Sequence, residues 1–404
     1  MKVEGYCDSQ FIEVRNTFQQ SFDSGFEFGA AIAIELEGEM VIDLWGGKTK
    51  KGSEKRWKKD TIVNVFSSTK GMAAICFLKL LEEGLVDLDD PVSKYWPEFS
   101  QGGKGEIPVR FLLCHKSGLC GIKKRLPEGS WTNWELITSS LAEQEPWWEP
   151  GTKHGYHALS YGHLVGELVK RISGVSIGEY FKKNIQEPLD LDFWIGLSDD
   201  KFNRVTDILK AETPIIDFFM PILKRIPQMS FYPPYLQILL NFFDTNTPQG
   251  SAFSNPKFDI EHANSKEWRN AEIPAANGHG TARALAKIYG VLANGGSRDG
   301  VNILKPKTIE IARSVQAEGK DLVLANIQSK FGLGFMLGTE HISMGPGKEA
   351  FGHGGAGGSL GFADPENKIS LGFVMNQMHP GITAWKTAND IASLAYKIIG
   401  ITKK

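Results

Sequence analysis

The chain has 404 residues, 41% of them apolar, so it can bury a substantial core, and 45 Lys and Arg against 47 Asp and Glu leave a net charge of −2. A balance this even excludes the basic footprint of a nucleic-acid binder. The most lipophilic stretch, Ile215 to Phe243, is broken by Asp217, Pro221, Lys224, Arg225, Pro227, Pro233 and Pro234. It falls short of the ~20 uninterrupted apolar residues that span a bilayer.

In chain order, residues 9–24 carry Phe11, Ile12, Val14, Phe18 and Phe22 at helical spacing. Two strands are predicted next, Ala30 to Leu36 and Met40 to Trp45, joined by a hairpin turn at Glu37-Gly38-Glu39. The basic stretch from Lys48 to Lys59 reads as a solvated loop between strands. Thr61 to Phe66 is a short apolar approach to a helix from about Ser68 to Glu83, with Met72, Ile75, Cys76 and Leu80 on one stripe and Gly84 as C-cap. Helical periods dominate residues 85–320, as at Leu159 to Ile172 and Thr281 to Asn294. Residues 200–270 change character, being rich in Pro and aromatics, and read as an insertion or lid. Strands return at Phe331 to Leu337, Leu360 to Ala363 and Ile369 to Asn376, with a turn at Asp364-Pro365-Glu366-Asn367 and a closing helix from Ile382 to Ile398. Strands at both ends imply a discontinuous sheet domain of residues 1–84 plus 321–404, beside a mainly helical subdomain of residues 85–320.

Cys7, Cys76, Cys114 and Cys120 include no CxxC pair and read as reduced thiols. With no apolar signal region in the first twenty residues, a soluble, cytoplasmic protein is expected. No HExxH and no zinc-spaced cysteines occur, so neither metal nor organic cofactor is implied. Nothing in the sequence speaks to oligomeric state.

The chemistry is carried by Ser67-Ser68-Thr69-Lys70, an SxxK at the start of the predicted helix. Residues three apart share a helix face, so hydroxyl and amine can meet. A serine alcohol needs a base to become a nucleophile, and a desolvated lysine amine can serve. Two further SxxK matches lack this context: Ser198 with Lys201 encloses a polar Asp199-Asp200 turn, and Ser254 with Lys257 contains Pro256.

Five segments in order resemble class C β-lactamases, DD-peptidases and family VIII carboxylesterases, over about residues 26–398 apart from 200–270. Val65 to Gly71 (VFSSTKG) looks like the first motif. Gly84 to Pro91 (GLVDLDDP) and Leu112 to Leu119 (LLCHKSGL) resemble structural segments downstream of it. Glu149 to Tyr156 (EPGTKHGY) is similar to the run reaching the second-motif tyrosine, and Phe351 to Ser359 (FGHGGAGGS) to the third motif, a K/H/W-x-G on a sheet edge strand. The resemblance implies an α/β fold with an antiparallel sheet flanked by helices, a mainly helical subdomain, and the site between them. It implies that Tyr156 acts with Lys70 as base toward Ser67, then as acid to the leaving group. His353 would orient substrate and Tyr156. Gly355 and Ala356 would belong to the substrate and oxyanion region, with the backbone N–H groups of Ser67 and Ala356 as donors. In place of the Tyr-x-Asn of class C β-lactamases stands Tyr156-His157-Ala158, and the third motif has His353 instead of lysine. Both departures favour esters over β-lactams.

Gly357-Gly358-Ser359-Leu360-Gly361 also fits the GxSxG nucleophile elbow, with Asp364 and His379 in triad order. The elbow requires strand, turn and helix, whereas a strand follows Ser359, so the glycines read as letting the sheet edge approach substrate. Trp147-Trp148 and the cluster Phe218, Phe219, Met220, Phe231, Tyr232 and Tyr235 read either as an apolar pocket under a lid or as core of the insertion. The expected function is hydrolysis of a small-molecule carboxylic ester through an acyl-enzyme. A β-lactamase or D-alanyl peptidase is the nearer alternative. A non-catalytic scaffold of the same fold is the other.

Overall fold

A computed structural model of the protein describes residues 2–212, 237, 240–340, 342–381 and 385–401. Its strands in chain order are β1 (Glu4–Cys7), β2 (Gly29–Leu36), β3 (Glu39–Gly47), β4 (Val63–Asn64), β5 (Phe193–Trp194), β6 (His279–Gly280), β7 (Ser297–Arg298), β8 (Val301–Asn302), β9 (Ala317–Lys320), β10 (Gln328–Phe331), β11 (Met336–Leu337), β12 (Phe351–Gly354), β13 (Leu360–Asp364) and β14 (Ile369–Met375). Among the described residues, nine strands form one sheet in the order β1-β3-β2-β14-β13-β12-β11-β10-β9. Every pairing in it is antiparallel. This is the expected sheet class. Its centre joins the two ends of the sequence, because β2 pairs with β14 from Leu36↔Ile369 to Ala30↔Met375.

Both faces of this sheet are covered, which explains why β2 and β14 read as continuous apolar runs rather than alternating ones. On one face lie the helices Ile12–Asp23 and Lys386–Ile398, which bury Phe18, Phe22, Ile391 and Tyr396. On the other lies the helix Ala282–Ala293, which starts on a Thr281 cap. It packs so close that methyl groups at Gly372 or Gly361 would collide with Ala282 O or the Tyr289 ring. Next to it is the long helix Thr69–Glu82, with Met72 through Leu78 all buried. Gly84 ends that helix at φ 73°, and the Leu85 N–H reaches the Leu80 carbonyl at 3.1 Å. This is the glycine-terminated Schellman geometry. The helices Trp134–Glu143 and Ser160–Ser173 pack behind it.

Several details differ from the sequence reading. The single strand expected over Phe331 to Leu337 is two, β10 and β11, separated by a turn with Gly334 at φ 84°. A side chain at Gly334 would strike the Tyr161 hydroxyl, so the turn is imposed by packing. The short strands β1 and β9, with few apolar residues, were not expected. Residues 200–270 are not all insertion: Val205 bridges Ile62, Leu209 bridges Gln377, and Trp268 is buried with its indole N–H on Asn64. The closing helix begins at Lys386, and residues 382–384 lie outside the described residues. So do Phe218, Phe219, Met220, Phe231, Tyr232 and Tyr235 of the aromatic cluster. No helix among the described residues is long and apolar enough to cross a membrane.

Candidate active site

Ser67 lies in a 3-10 turn, Phe66–Ser68, that runs directly into the helix Thr69–Glu82. The residue before it, Phe66, has φ 44°, in the left-handed region that a bulky side chain adopts only under constraint. The constraint is visible. Thr69 Oγ1 donates to the Phe66 carbonyl at 2.5 Å and accepts from Gly278 N at 2.8 Å. The Val65 N–H bonds Gly278 O, and the Ser68 hydroxyl donates to His353 O at 3.1 Å. The turn is therefore fixed between two strands, and it presents Ser67 as a half-buried hydroxyl.

Lys70 follows one helical turn later with no exposed surface. Its Nζ lies 3.1 Å from Ser67 Oγ, 2.7 Å from Ala158 O and 3.0 Å from Ala275 O. Among the described residues no carboxylate pairs with it, and burial alone pulls its pKa well below the usual lysine range. The two carbonyls match the two N–H bonds of a neutral amine. The third contact, toward Ser67, is then a lone pair facing a hydroxyl.

Tyr156, 7% exposed, precedes the helix Ser160–Ser173, and its ring centroid is 4.7 Å from Lys70 Nζ. Burial raises its pKa above the ordinary tyrosine value, outweighing the neighbouring Ser67 side chain, which acts the other way. The ring lies nearly parallel to Phe331 at 6.1 Å and tilted against His115 at 5.0 Å. The structure thus brings Ser67, Lys70 and Tyr156 within reach of one another.

His353 is on β12, which is interior to the sheet rather than at its edge. Its neighbour β11, however, pairs only as far as Gly352, so His353 and Gly354 have a partner on one side alone. That bare end faces the Ser67 turn. A side chain at Gly355 would collide with Val65 O, and Ser359 Oγ donates to Val65 O at 2.6 Å. The His353 Nδ1–H is directed at Gly354 O at 2.7 Å, while Nε2 is buried without a protein partner. Burial and the nearby Lys70 lower its pKa to about 3, so the ring is neutral, 6.0 Å from the Tyr156 ring. The Gly355 N–H is used internally, on Ser359 O, so its part is to leave room rather than to donate. Ala356 is exposed at the start of the next turn.

The rival constellation does not assemble. Ser359 is 1% exposed and bonded to Val65 O and Ser68. Asp364 accepts from its own turn and from Tyr396. His379 stacks on Phe26 and faces Glu27. The other SxxK pairs also stay apart: Ser198 and Lys201 both turn to Asp200, Ser254 bonds Phe242 O, and Lys257 pairs with Glu128.

Three contributors escaped the sequence. The carbonyls of Ala158 and Ala275 leave no side-chain signal. Asp321, fully buried, accepts from the Tyr156 N–H at 3.0 Å. Its own Asx turn onto Val323 and Leu324 was legible as an aspartate opening an apolar run, but its link to Tyr156 was not.

A beta-lactamase family model matches residues 14–393. Over 383 residues the chain is 32% identical to the esterase/beta-lactamase LipL of Mycobacterium tuberculosis, covering 93% of this chain and 83% of that one. A penicillin-binding protein homolog from Caulobacter crescentus is similar in structure with a TM-score of 0.85, at 35% identity over 98% of this chain and 100% of its own. A family VIII carboxylesterase has a TM-score of 0.85 at 34% identity, again over 98% and 100%. With that match spanning nearly the whole sheet and the SxxK turn at its heart, the chain belongs to the beta-lactamase family.

Proposed function

We propose that the protein hydrolyses small carboxylic esters with short acyl chains through an acyl-enzyme on Ser67. One observation carries this: a fully buried lysine amine whose polar contacts among the described residues are the Ser67 hydroxyl and two carbonyls, with no carboxylate. Neutral Lys70 accepts the Ser67 proton as Oγ attacks the ester carbonyl. Such a positioned base contributes about 10²–10⁴-fold. The oxyanion is held by the backbone N–H groups of Ser67 and Ala356, a pair of donors worth roughly 10²–10³-fold apiece. Tyr156, kept protonated by burial, passes its proton to the leaving alcohol and recovers one from Lys70. Water attacks the acyl-enzyme by the reverse relay and releases the acid. His353 braces the substrate side of the site.

The absent asparagine and third-motif lysine support esters over β-lactams, because Ala158 offers no side-chain amide and neutral His353 no cation for a drug carboxylate. The family relatives with esterase names support the same reading. Four unpaired cysteines fit a reducing, cytoplasmic setting.

The test is intact-mass and peptide mapping after a fluorophosphonate probe, with hydrolysis of p-nitrophenyl butyrate and nitrocefin compared. Label on Ser67 and faster butyrate turnover are expected. Label elsewhere, or none, overturns the nucleophile, and faster nitrocefin turnover overturns the ester preference.

A further inference from the structure

Tyr156 sits in an irregular loop, and a loop alone does not hold a proton donor within a fraction of an ångström. Three bonds tie this one to the far strands of the sheet. Asp321 Oδ1 accepts from Tyr156 N at 3.0 Å while also accepting from Val323 N and Leu324 N at 2.8 Å each. The Leu322 N–H reaches the His154 carbonyl at 3.2 Å. The His154 ring, Nε2 at 2.9 Å from Ser329 Oγ, leads on to Asp321, because Ser329 donates to Asp321 Oδ2 at 3.3 Å. Asp321 has no exposed surface and Ser329 is 1% exposed.

We infer that Asp321, with His154 and Ser329 behind it, is the positioning residue that sets Tyr156 against Ser67 and Lys70. The inference rests on the relay proposed for Tyr156. The aspartate is suited to this because one oxygen collects three backbone donors, which no neutral side chain of that length does with equal strength. Its charge has a second effect: lying behind Tyr156, it disfavours the phenolate and so keeps the phenol a donor. The other titratable groups around Tyr156 are Lys70, His115, His157, His353 and Tyr161, and Cys120 and His154 face Asp321. The histidines among them and Lys70 are all driven toward the neutral form by burial, which leaves Asp321 as the charge that acts on Tyr156.

The experiment uses the full chain and p-nitrophenyl butyrate. Asp321→Ala is expected to lower kcat about 100-fold with KM within threefold, a loss of orientation rather than binding. Asp321→Asn keeps the accepting oxygen and removes the charge. It should recover kcat to within tenfold of the parent with KM unchanged. Ser329→Ala, which leaves Asp321 in place but cuts its tie to His154, should fall between them. If Asp321→Ala does not fold, Asp321→Asn and Ser329→Ala decide: Asp321→Asn with kcat lowered about 100-fold, or Ser329→Ala with parental kcat, overturns the inference. Tyr156→Phe is measured alongside. An active Tyr156→Phe means the relay itself is wrong. An inactive Tyr156→Phe beside a fully active Asp321→Ala refutes the positioning role alone.

Discussion

Gly71, the residue after Lys70, packs directly against Tyr289 of the helix Ala282–Ala293. A methyl group there would lie 2.2 Å from Tyr289 Oη, 3.2 Å from its Cζ and 3.4 Å from Phe335 Cε1. Ordinary contact would require Tyr289 or the helix to retreat by about 1 Å, and neither is loose, since Tyr289 is fully buried on the helix Ala282–Ala293. Gly71→Ala should therefore cost about 2–3 kcal/mol, the upper end for overpacking. It should also lower kcat, because Lys70 moves with it. The Tyr289 hydroxyl is itself buried without a partner. Tyr289→Phe should accordingly stabilise the protein by about 1 kcal/mol. In the double variant the 2.2 Å conflict is gone and the 3.2 Å one remains. The pair should then couple by about 2 kcal/mol, with stability and kcat near the parent's. Urea unfolding of the four proteins, with ester turnover, measures the cycle. Additive effects, or a Tyr289→Phe variant less stable than the parent, would refute this account of the interface.

Lys70→Arg puts a fixed charge where the neutral amine stands and offers no lone pair, and should reduce acylation at least about 10³-fold, read as the burst of p-nitrophenol in single-turnover assays. Because the folded Lys70 pKa is depressed, kcat/KM should fall as pH drops through that pKa and be flat above it, until Tyr156 ionises. Ser359→Ala should leave probe labelling intact and cost about 1 kcal/mol, the value of its bond to Val65 O, by urea midpoint. Acid stability tests the buried histidines. His157, His279 and His353 titrate at about 3, His163 at about 4, and His115 well below its ordinary 6.5. Depressed folded pKa values give stability that is complete above the unfolded value and lost as pH falls below it. Each histidine should cost about 1 kcal/mol between pH 6.5 and 5.5, so the urea midpoint should drop sharply over that unit.

What the sequence disclosed was whatever one residue type or one local period can encode. The helix Thr69–Glu82 showed in its apolar stripe and Gly84, and the Ser67 to Lys70 spacing showed in four consecutive letters. The antiparallel sheet class followed from the strand runs and the family resemblance together. What it withheld was set by distance along the chain. The Ala158 and Ala275 carbonyls come from two turns remote from Lys70, and Asp321 meets Tyr156 across 165 residues. Strands β1 and β9 escaped because pairing rather than apolar content defines them. The placement of β12 was misjudged because only its last two residues lack a second partner, a fact that depends on how short β11 is.

The pairing of β2 with β14 has a consequence for biosynthesis. β2 is almost wholly apolar, and its partner lies more than three hundred residues downstream. At about 10 residues per second a ribosome needs roughly half a minute to deliver that partner. Throughout that interval β2 can zip to β3 but shows a bare, greasy flank to water, the kind of edge on which chains aggregate. Production of this protein should thus be limited by how well nascent chains are sheltered, and slower translation of the second half should lower its soluble yield.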